Sequence, residues 1–462
     1  MGNADMRIVV CIRQGLDGEI SPFDAAAYEA ALRMENAEVI LLSMASLAAK
    51  DFLQNLTRLG AKRAVLLSDQ SFAGADTLAT AYTLSLAIQR LSPDLVFCGR
   101  QTLIGDTGQT GAMISELSGL SLVTNVMEIE GVFDGTVRCH TREGDTACAK
   151  LPALLCVERI HTLRLPRLRS KLGEVEILGA EALGADTSRC GLVGSPTRVI
   201  QTFENQSGKR KCQFITREEI PMAIAEGMKK ISQSTASMSQ SKERFSRACI
   251  IGEAPRAFAE SISDDVCVIP LSTVEDIIEK IKALDPSAVL WGCDPISKGL
   301  AARVAARLGL GLCSDCTALG CEEGQLMMYR PALSGSVIAK IKSLTRPAMA
   351  TVRTESEIKN DIIVAAGFGV RERLDAVRTF ADSLGAKLCA TRKLVDHGYA
   401  SYDMQVGLTG NTVSPPIYIA IGVSGAVHHV AGMQRSGTVI AINPDRDAQI
   451  FEYADYGIVA QF

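Results

Sequence analysis

Two stretches of this chain gather the turns and side chains that hold charged or planar ligands. One is DMQVGLTGN at 403–411, followed by IYIAIGVSGAVHHVAGM at 417–433; the other is GRQTLIGDTGQTG at 99–111. Glycine lets backbone N–H groups approach a ligand closely, and N–H groups left free where such a loop opens a helix favour an anion. Tight connections in an α/β domain, capped by their own hydroxyls, have the same composition, so the spacing alone leaves ligand site and plain turn both open. The metal-ligating types offer less. Cys313-x-x-Cys316 with Cys321 supplies three thiols where a closed zinc or iron–sulfur site takes four ligands. His428 and His429, being adjacent, cannot easily face one metal from an extended backbone. No metal centre is expected.

The elements that must carry these loops follow from periodicity. RIVVCI (7–12), EVILLSM (38–44), RAVLLS (63–68) and DLVFC (94–98) alternate with helical segments near 24–34, 46–59 and 76–91, and a further helix starts from about 106. Such alternation predicts a parallel sheet covered on both faces. Ligands of these sheets bind outside the carboxyl ends of the strands, which directs attention to the loops after Ile12, Met44, Ser68 and Cys98. Residues 361–396 read as a strand, a Gly-Phe-Gly turn, a helix with Leu374, Val377, Ala381 and Leu384 on one face, a stop at Gly385 and a second strand. That is half of a nucleotide-binding unit.

An internal repeat organises the rest. DLVFCGRQTLIGDTGQTGAMISELSGLSLVTNV (94–126) has the layout of SAVLWGCDPISKGLAARVAARLGLGLCSDCTAL (287–319), and LPALLCVER (151–159) echoes RPAMATVRT (346–354). Two copies of one α/β unit are therefore fused. Between them 195–247 becomes rich in Ser, Gln and charge, with GKRK at 208–211, and reads as a solvated linker or surface arm.

Composition bounds the partners. The 462 residues suffice for roughly three domains. A net charge of −4 leaves no basic footprint for nucleic acid. No apolar run reaches the ~18 residues of a membrane span, and MGNADMRIVVCIRQ lacks the basic stretch and apolar core of a signal peptide. Fourteen cysteines, scattered largely through apolar strands, suit reduced thiols packed as small hydrophobes. A cytoplasmic location is expected.

The run from Ile362 to Phe462 resembles the FAD-binding domain of the electron-transfer flavoprotein alpha subunit. The resemblance rests on Gly367-Phe368-Gly369, Thr391-Arg392 with Asp396, Gln405 to Gly410, Gly422 to His429, Ala441-Ile442-Asn443 and Ala454 to Val459, in the family order. LVFCGRQTLIGDTGQTG, with VVCIRQGLD, SPFD at 21–24 and LSDQSFAGADTLATAYTLS at 67–85, is similar to the beta subunit of that family. The resemblance implies a beta-subunit-like domain at 1–194, a linker at 195–247, a domain like alpha-subunit domain I at 248–357 and the FAD-binding domain at 358–462. In fold terms these are two adenine-nucleotide-hydrolase-like, doubly wound parallel-sheet domains and a Rossmann-like C-terminal domain.

The same resemblance implies residue roles. FAD is expected against Thr391, Arg392, Gln405, Val406, Gly407, Leu408, Thr409, Ser424, Gly425, Ala426, Val427, His428, His429, Asn443, Gln461 and Phe462. Arg392 stands as the fixed cation beside the isoalloxazine, Thr409 as a hydroxyl near N5 and His429 near the C2 carbonyl. The 424–426 turn falls to the pyrophosphate, and Asn443 to the adenosine side. In the N-terminal domain Cys11, Arg100, Gln101, Gly105, Asp106, Thr107, Gly108, Gln109, Thr110 and Gly111 are implied to hold AMP or, as in bifurcating members, a second FAD.

Four positions depart from the family pattern: Phe368 replaces an Arg, Leu408 a Gln, and Gln461 and Ile104 an Asp each. A lost phosphate- or ribose-directed charge costs on the order of 1–3 kcal/mol per contact, so the departures bear on FAD affinity and on the identity of the N-terminal nucleotide. The expected function is a single-chain carrier that takes electrons from a flavin dehydrogenase of the acyl-CoA dehydrogenase type. Its acceptor would be a quinone oxidoreductase or ferredoxin. Two alternatives stand beside it: an NADH-oxidising, electron-bifurcating form with a second FAD, and an adenine-nucleotide-binding module without redox work.

Overall fold

A computed structural model describes residues 6–15, 18–102, 105, 107–158, 161–204, 209–231, 243–332, 337–353, 360–407 and 410–462. They form two compact units, one comprising 1–202, 240–333 and 339–352, the other 203–239, 334–338 and 353–462.

The first lobe runs β1 (Met6–Cys11), α1 (Pro22–Arg33), β2 (Ala37–Met44), α2 (Lys50–Thr57), β3 (Arg63–Leu67), α3 (Thr77–Leu91), β4 (Leu95–Gly99) and α4 (Thr110–Ser118). It continues through β5 (Ser121–Phe133), β6 (Thr136–Thr141), β7 (Thr146–Lys150), β8 (Ala153–Val157), β9 (Glu174–Leu178) and α5 (Ala180–Leu183). The sheet order is β7-β6-β5-β8-β4-β1-β2-β3-β9, parallel from β5 to β9, with β6 and β7 added as an antiparallel hairpin. Ile8, Val9 and Val10 are fully buried, as continuous β-branched runs between two helix layers must be. Asp76 starts α3 by accepting from the N–H groups of Leu78 and Ala79. The helix expected from about 106 begins instead at Thr110, after Gly108 adopts φ +63°.

β10 (Thr197–Glu204), β11 (Gln213–Phe214) and α6 (Ile220–Ile231) come next, before the second copy: β12 (Ala248–Ile251), α7 (Arg256–Ile262), β13 (Val266–Ile269), α8 (Val274–Leu284), β14 (Ala288–Trp291) and α9 (Pro295–Leu308). It ends with β15 (Leu312–Cys316), β16 (Ala318–Glu322), β17 (Gln325–Ala332), β18 (Val337–Ser343) and β19 (Ala348–Val352). Its parallel sheet, β13-β12-β14-β19-β15, repeats the order β2-β1-β4-β8-β5 of the first copy, while β10, β18, β17 and β16 make a separate sheet. One apolar core joins the copies: Ala112 and Met113 of α4 belong to the same cluster as Ala301, Ala302 and Ala305 of α9. Arg303 and Arg307 of α9 both bind Glu116 of α4.

The last unit contains β20 (Ile362–Ala366), α10 (Leu374–Ser383), β21 (Lys387–Thr391), α11 (Arg392–Asp396), β22 (Gln405–Val406), β23 (Ile417–Ile421), α12 (Val427–Met433), β24 (Thr438–Asn443) and β25 (Tyr456–Val459). All neighbours in its sheet, β11-β25-β24-β23-β20-β21-β22, are parallel. Val377 and Ala381 of α10 are buried as the periodicity requires, and Gly385 at φ +62° follows the helix.

Part of the stretch read as a solvated arm is folded into this unit. β11 is its edge strand, and Ile220 and Ala223 of α6 lie in its core. Arg210, from the basic GKRK run, pairs with Asp455 and donates to the carbonyls of Ser436 and Gly437. The polar composition reflects side chains spent on such bonds as well as on solvent. No helix among the described residues is long and apolar enough to cross a membrane.

Candidate functional site

The expected C-terminal residues gather at the carboxyl ends of β20, β21, β22, β23 and β24. Two turns meet there backbone to backbone: Gly367 N–H donates to Ile421 C=O at 2.8 Å, and a Cβ at Gly367 would stand 2.0 Å from the Gly422 oxygen. Only glycine allows that approach. The next turn exposes Ser424 and Ala426, while Gly425 between them, at φ +89°, packs on Gln449 and Ile450. Val427 and His428 follow, half-buried, at the start of α12.

Arg392 opens α11, directly after β21. Its Nε lies 3.3 Å from the Asp396 carboxylate one turn on, an arrangement that fixes the side chain while leaving it a fifth exposed. Beside it the Thr391 hydroxyl is buried without a hydrogen-bond partner. Buried hydroxyls are ordinarily paired, so this oxygen marks a place where a polar ligand atom fits.

Gln405 and Val406 are buried on β22, and Gly407 closes a turn through bonds with Asn411 and Gly410. Leu408 and Thr409 lie outside the described residues, as do Ile104 and Asp106. The Val406 carbonyl accepts from His429 Nδ1 at 3.1 Å, so that nitrogen carries the proton and Nε2 accepts from the Tyr418 hydroxyl at 2.9 Å. Burial pushes the imidazole pKa down to about 4. His429, which the resemblance set near a flavin carbonyl, thus has both ring nitrogens engaged by protein, and it braces the 405–411 turn. Asn443 is similarly committed: its Nδ2 donates to Val423 C=O at 2.8 Å and its Oδ1 accepts from Asp445 N–H at 2.9 Å. Gln461 and Phe462 are held by arginines, Arg217 donating to the Gln461 carbonyl and Arg373 to that of Phe462.

Phe368, where the family pattern has an Arg, sits among cations. Lys393 Nζ is 4.4 Å and Arg371 Cζ 4.8 Å from its ring centroid, with His397 at 4.8 Å. The ring gathers positive charge, from Arg371 of its own turn and from Lys393 of α11. Nothing in the sequence pattern flagged Lys393, because its contact is tertiary.

The second gathering is at the carboxyl ends of β1, β4 and β8, where Cys11, Arg100 and Gln101 stand. Arg100 Nε lies 2.8 Å from the buried Glu158 without hydrogen-bond alignment, its Nη2 is buried unpaired, and its guanidinium covers Phe23 at 5.3 Å. Gln109 is buried with neither amide atom bonded. Thr107 and Gly108 lead up to it, and Thr110 and Gly111 begin α4. Asp24, from the SPFD motif, accepts from Arg13 N–H at 2.9 Å and from Gly99 N–H, tying the loops after β1 and β4 together. Its burial outweighs these bonds and raises the carboxyl pKa to about 7. Arg330 of β17, in the second copy, donates to Gly105 C=O at 3.0 Å. Only folding brings it and Glu158 to the loop. Cys313, Cys316 and Cys321 are packed in the second copy's core.

Doubly wound parallel sheets with ligand-fitting turns at their carboxyl ends define a nucleotide-cofactor-binding α/β protein. Comparison with known proteins narrows the class. The electron transfer flavoprotein domain model matches residues 8–182 and 262–366, more than half the chain, and the electron transfer flavoprotein FAD-binding domain model matches 358–434. The chain belongs to the electron transfer flavoprotein family. It is 39% identical over 229 residues to the electron transfer flavoprotein subunit alpha of Thermoanaerobacterium thermosaccharolyticum, across 40% of this chain and 69% of that protein. It is 37% identical over 202 residues to the subunit beta of the same organism, across 41% of this chain and 78% of that protein. A third relative is subunit LctC of the lactate dehydrogenase (NAD(+),ferredoxin) of Acetobacterium woodii, 36% identical over 233 residues, 41% of this chain and 55% of that protein. One chain therefore joins counterparts of both subunits, although it spans less than two thirds of the length of some relatives, 55% in the case of LctC.

Proposed function

We propose that this chain is a cytoplasmic single-chain carrier, holding FAD in 358–462 and passing electrons from an acyl-CoA-dehydrogenase-type flavoenzyme to a quinone oxidoreductase or ferredoxin. The observation that carries this reading is the pairing of a positioned, partly exposed Arg392 with the buried, unbonded Thr391 hydroxyl at the carboxyl end of β21. Bound FAD supplies the redox chemistry. The protein's part is to bind and tune: Arg392 presents a charge that persists at every relevant pH, Lys393 and Arg371 add positive potential around Phe368, and the 422–426 turn offers backbone to a pyrophosphate. Thr409 is proposed to add a hydroxyl at N5. His429 holds its proton on Nδ1 toward Val406, so its share is to fix the end of β22.

An exposed apolar patch supports a protein partner of this kind. Between β8 and β9, Leu165 and Leu168 are 86% and 103% exposed, with Arg167, Arg169 and Lys171 around them. Exposed leucines rimmed by charge mark an interaction surface, and the basic rim suits an acidic partner. The segment is anchored by Arg164, which grips both oxygens of Glu29 at 2.9 Å.

Reconstitution with FAD, an absorbance spectrum, and reduction by acyl-CoA dehydrogenases test the proposal. A protein that takes up no flavin, or whose flavin no dehydrogenase reduces, overturns it. A second reading, bifurcation with a second FAD in the N-terminal lobe, draws on the unbonded Gln109 amide and on Arg330 reaching that loop. Two flavins per chain and direct NADH oxidation would favour it; one FAD with one AMP would exclude it. A colourless protein that binds only adenine nucleotides would point to the module without redox work.

A further inference from the structure

Cys11, Cys98 and Cys156 stand side by side on three neighbouring strands. Cys98 is in register with Cys156 across β4 and β8, and the pairing of Val10 with Phe97 puts Cys11 beside Cys98 across β1 and β4. Residues in register on adjacent strands project to one face. Cys11 and Cys156 both lie close enough to the Cys98 thiol to help push its pKa up, with Cys11 the stronger influence. Cys98 and Cys156 are buried, Cys11 is partly exposed, and all three are free thiols. The row lies under the start of α4: a Cβ at Gly111 would stand 2.5 Å from Cys156 Sγ and 3.7 Å from Cys98 Cβ. Carrying electrons on FAD in the C-terminal domain makes no use of these sulfurs, although the resemblance sets Cys11 among the residues expected around the N-terminal nucleotide.

We infer that Cys11 and Cys98 form a dithiol modification site for peroxides, with the solvent-reachable Cys11 attacking and Cys98 resolving. The Cys11 thiolate takes one peroxide oxygen as the O–O bond breaks, the other oxygen leaves as water or an alcohol, and Cys11 becomes a sulfenic acid. The Cys98 sulfur then displaces that hydroxyl, which departs as water with the Cys98 proton, and an S–S bond forms. Two electrons pass from the sulfur pair to the peroxide. Such a bond is transient in a reducing compartment, where reductants reopen it.

Geometry selects this pair. Neighbouring strands lie ~4.8 Å apart, within the roughly 4.4–6.8 Å that a disulfide spans between Cα atoms. Cys11 and Cys156 are two strands apart, which is too far. Cys11 is the last residue of β1 and Cys98 the penultimate residue of β4, so the backbone has room to adjust. Cys249 and Cys267, a further in-register pair on adjacent parallel strands, are each held by paired residues on both sides.

The test treats the full chain with hydrogen peroxide, blocks residual thiols and maps linked peptides by mass spectrometry. A Cys11–Cys98 link with a loss of about 2 Da, restored by dithiothreitol, is expected. Cys98→Ser should stop at a sulfenic acid on Cys11 that dimedone traps, whereas Cys156→Ser should keep the link. A bridge at Cys249–Cys267 or Cys98–Cys156 with Cys11 still reduced overturns the inference, and so does a wild-type map with no link at all. The wild-type map decides even if a variant fails to fold, and flavin content measured in parallel keeps this result separate from the carrier reading.

Discussion

The two α/β copies order five strands identically yet finish the same turn in opposite ways. In the first, β4 ends at Gly99 but α4 begins only at Thr110, the Gln109 amide remains buried and unbonded, and Arg330 is borrowed from the other copy. In the second, Gly292 and Cys293 lead straight to Asp294, whose carboxylate accepts from Ser297 N–H at 2.9 Å and caps α9. Lys298 then pairs with Asp315 at 2.7 Å, whereas buried Asp24 of the first copy leans mainly on backbone N–H groups. A ligand site is thus a property of the loop and its unsatisfied groups, and the strand scaffold only says where to look.

Asp24 offers the strongest way to break this contrast. Its pKa is raised in the folded state, so its stabilising contribution is complete below the unfolded value near 3.8 and is lost as pH rises through about 7. Between pH 5 and pH 8 that loss is about 3 kcal/mol, and Asp24→Asn should flatten it, as read by hydrogen exchange of β1 and β4 amides at those two pH values. An unchanged pH dependence in the variant would show that the carboxyl is not held neutral. Next, Gln109→Leu should weaken adenine-nucleotide binding by about 2 kcal/mol, roughly thirtyfold, while FAD content stays constant. If calorimetry with AMP shows no change, the first copy is as closed as the second. Glu116→Gln leaves Arg303 and Arg307, one turn apart on α9, without the carboxylate they share on α4 and should cost about 1–2 kcal/mol in urea unfolding. The smallest effect is expected from Asp294→Ala, a lost cap costing about 1 kcal/mol, with nucleotide binding untouched; a drop in that binding would contradict the assignment of the second copy.

Much of this was legible beforehand. β1 to β4 and the face of α10 follow from apolar period, and the repeat announced the shared strand order of the two copies. The family motifs converge at the carboxyl ends of the strands. What composition could not carry is partnership. His429 and Asn443 look like ligand contacts in a motif, yet Tyr418, Val406, Val423 and Asp445 take up their polar atoms. Phe368 looks like a lost charge until Lys393 and Arg371 are found over its ring. Arg330 and Glu158 reach the first loop only through pairings far along the chain. The 195–247 stretch misled for a related reason: its apolar side chains are dispersed among polar and charged ones, and only folding shows that Ile220 and Ala223 are among those that dock.

That docking has a consequence for how the molecule can be made or divided. The polypeptide leaves the first copy, contributes an edge strand and a helix to a sheet whose remaining strands are translated more than a hundred residues later, and then returns to build the second copy. β11 and α6 must therefore wait on the ribosome for β25 and β24 to emerge. A fragment beginning at 358 would expose the seat of Ile220 and the edge of β25, so a workable split of this gene has to carry 209–231 along with the last hundred residues.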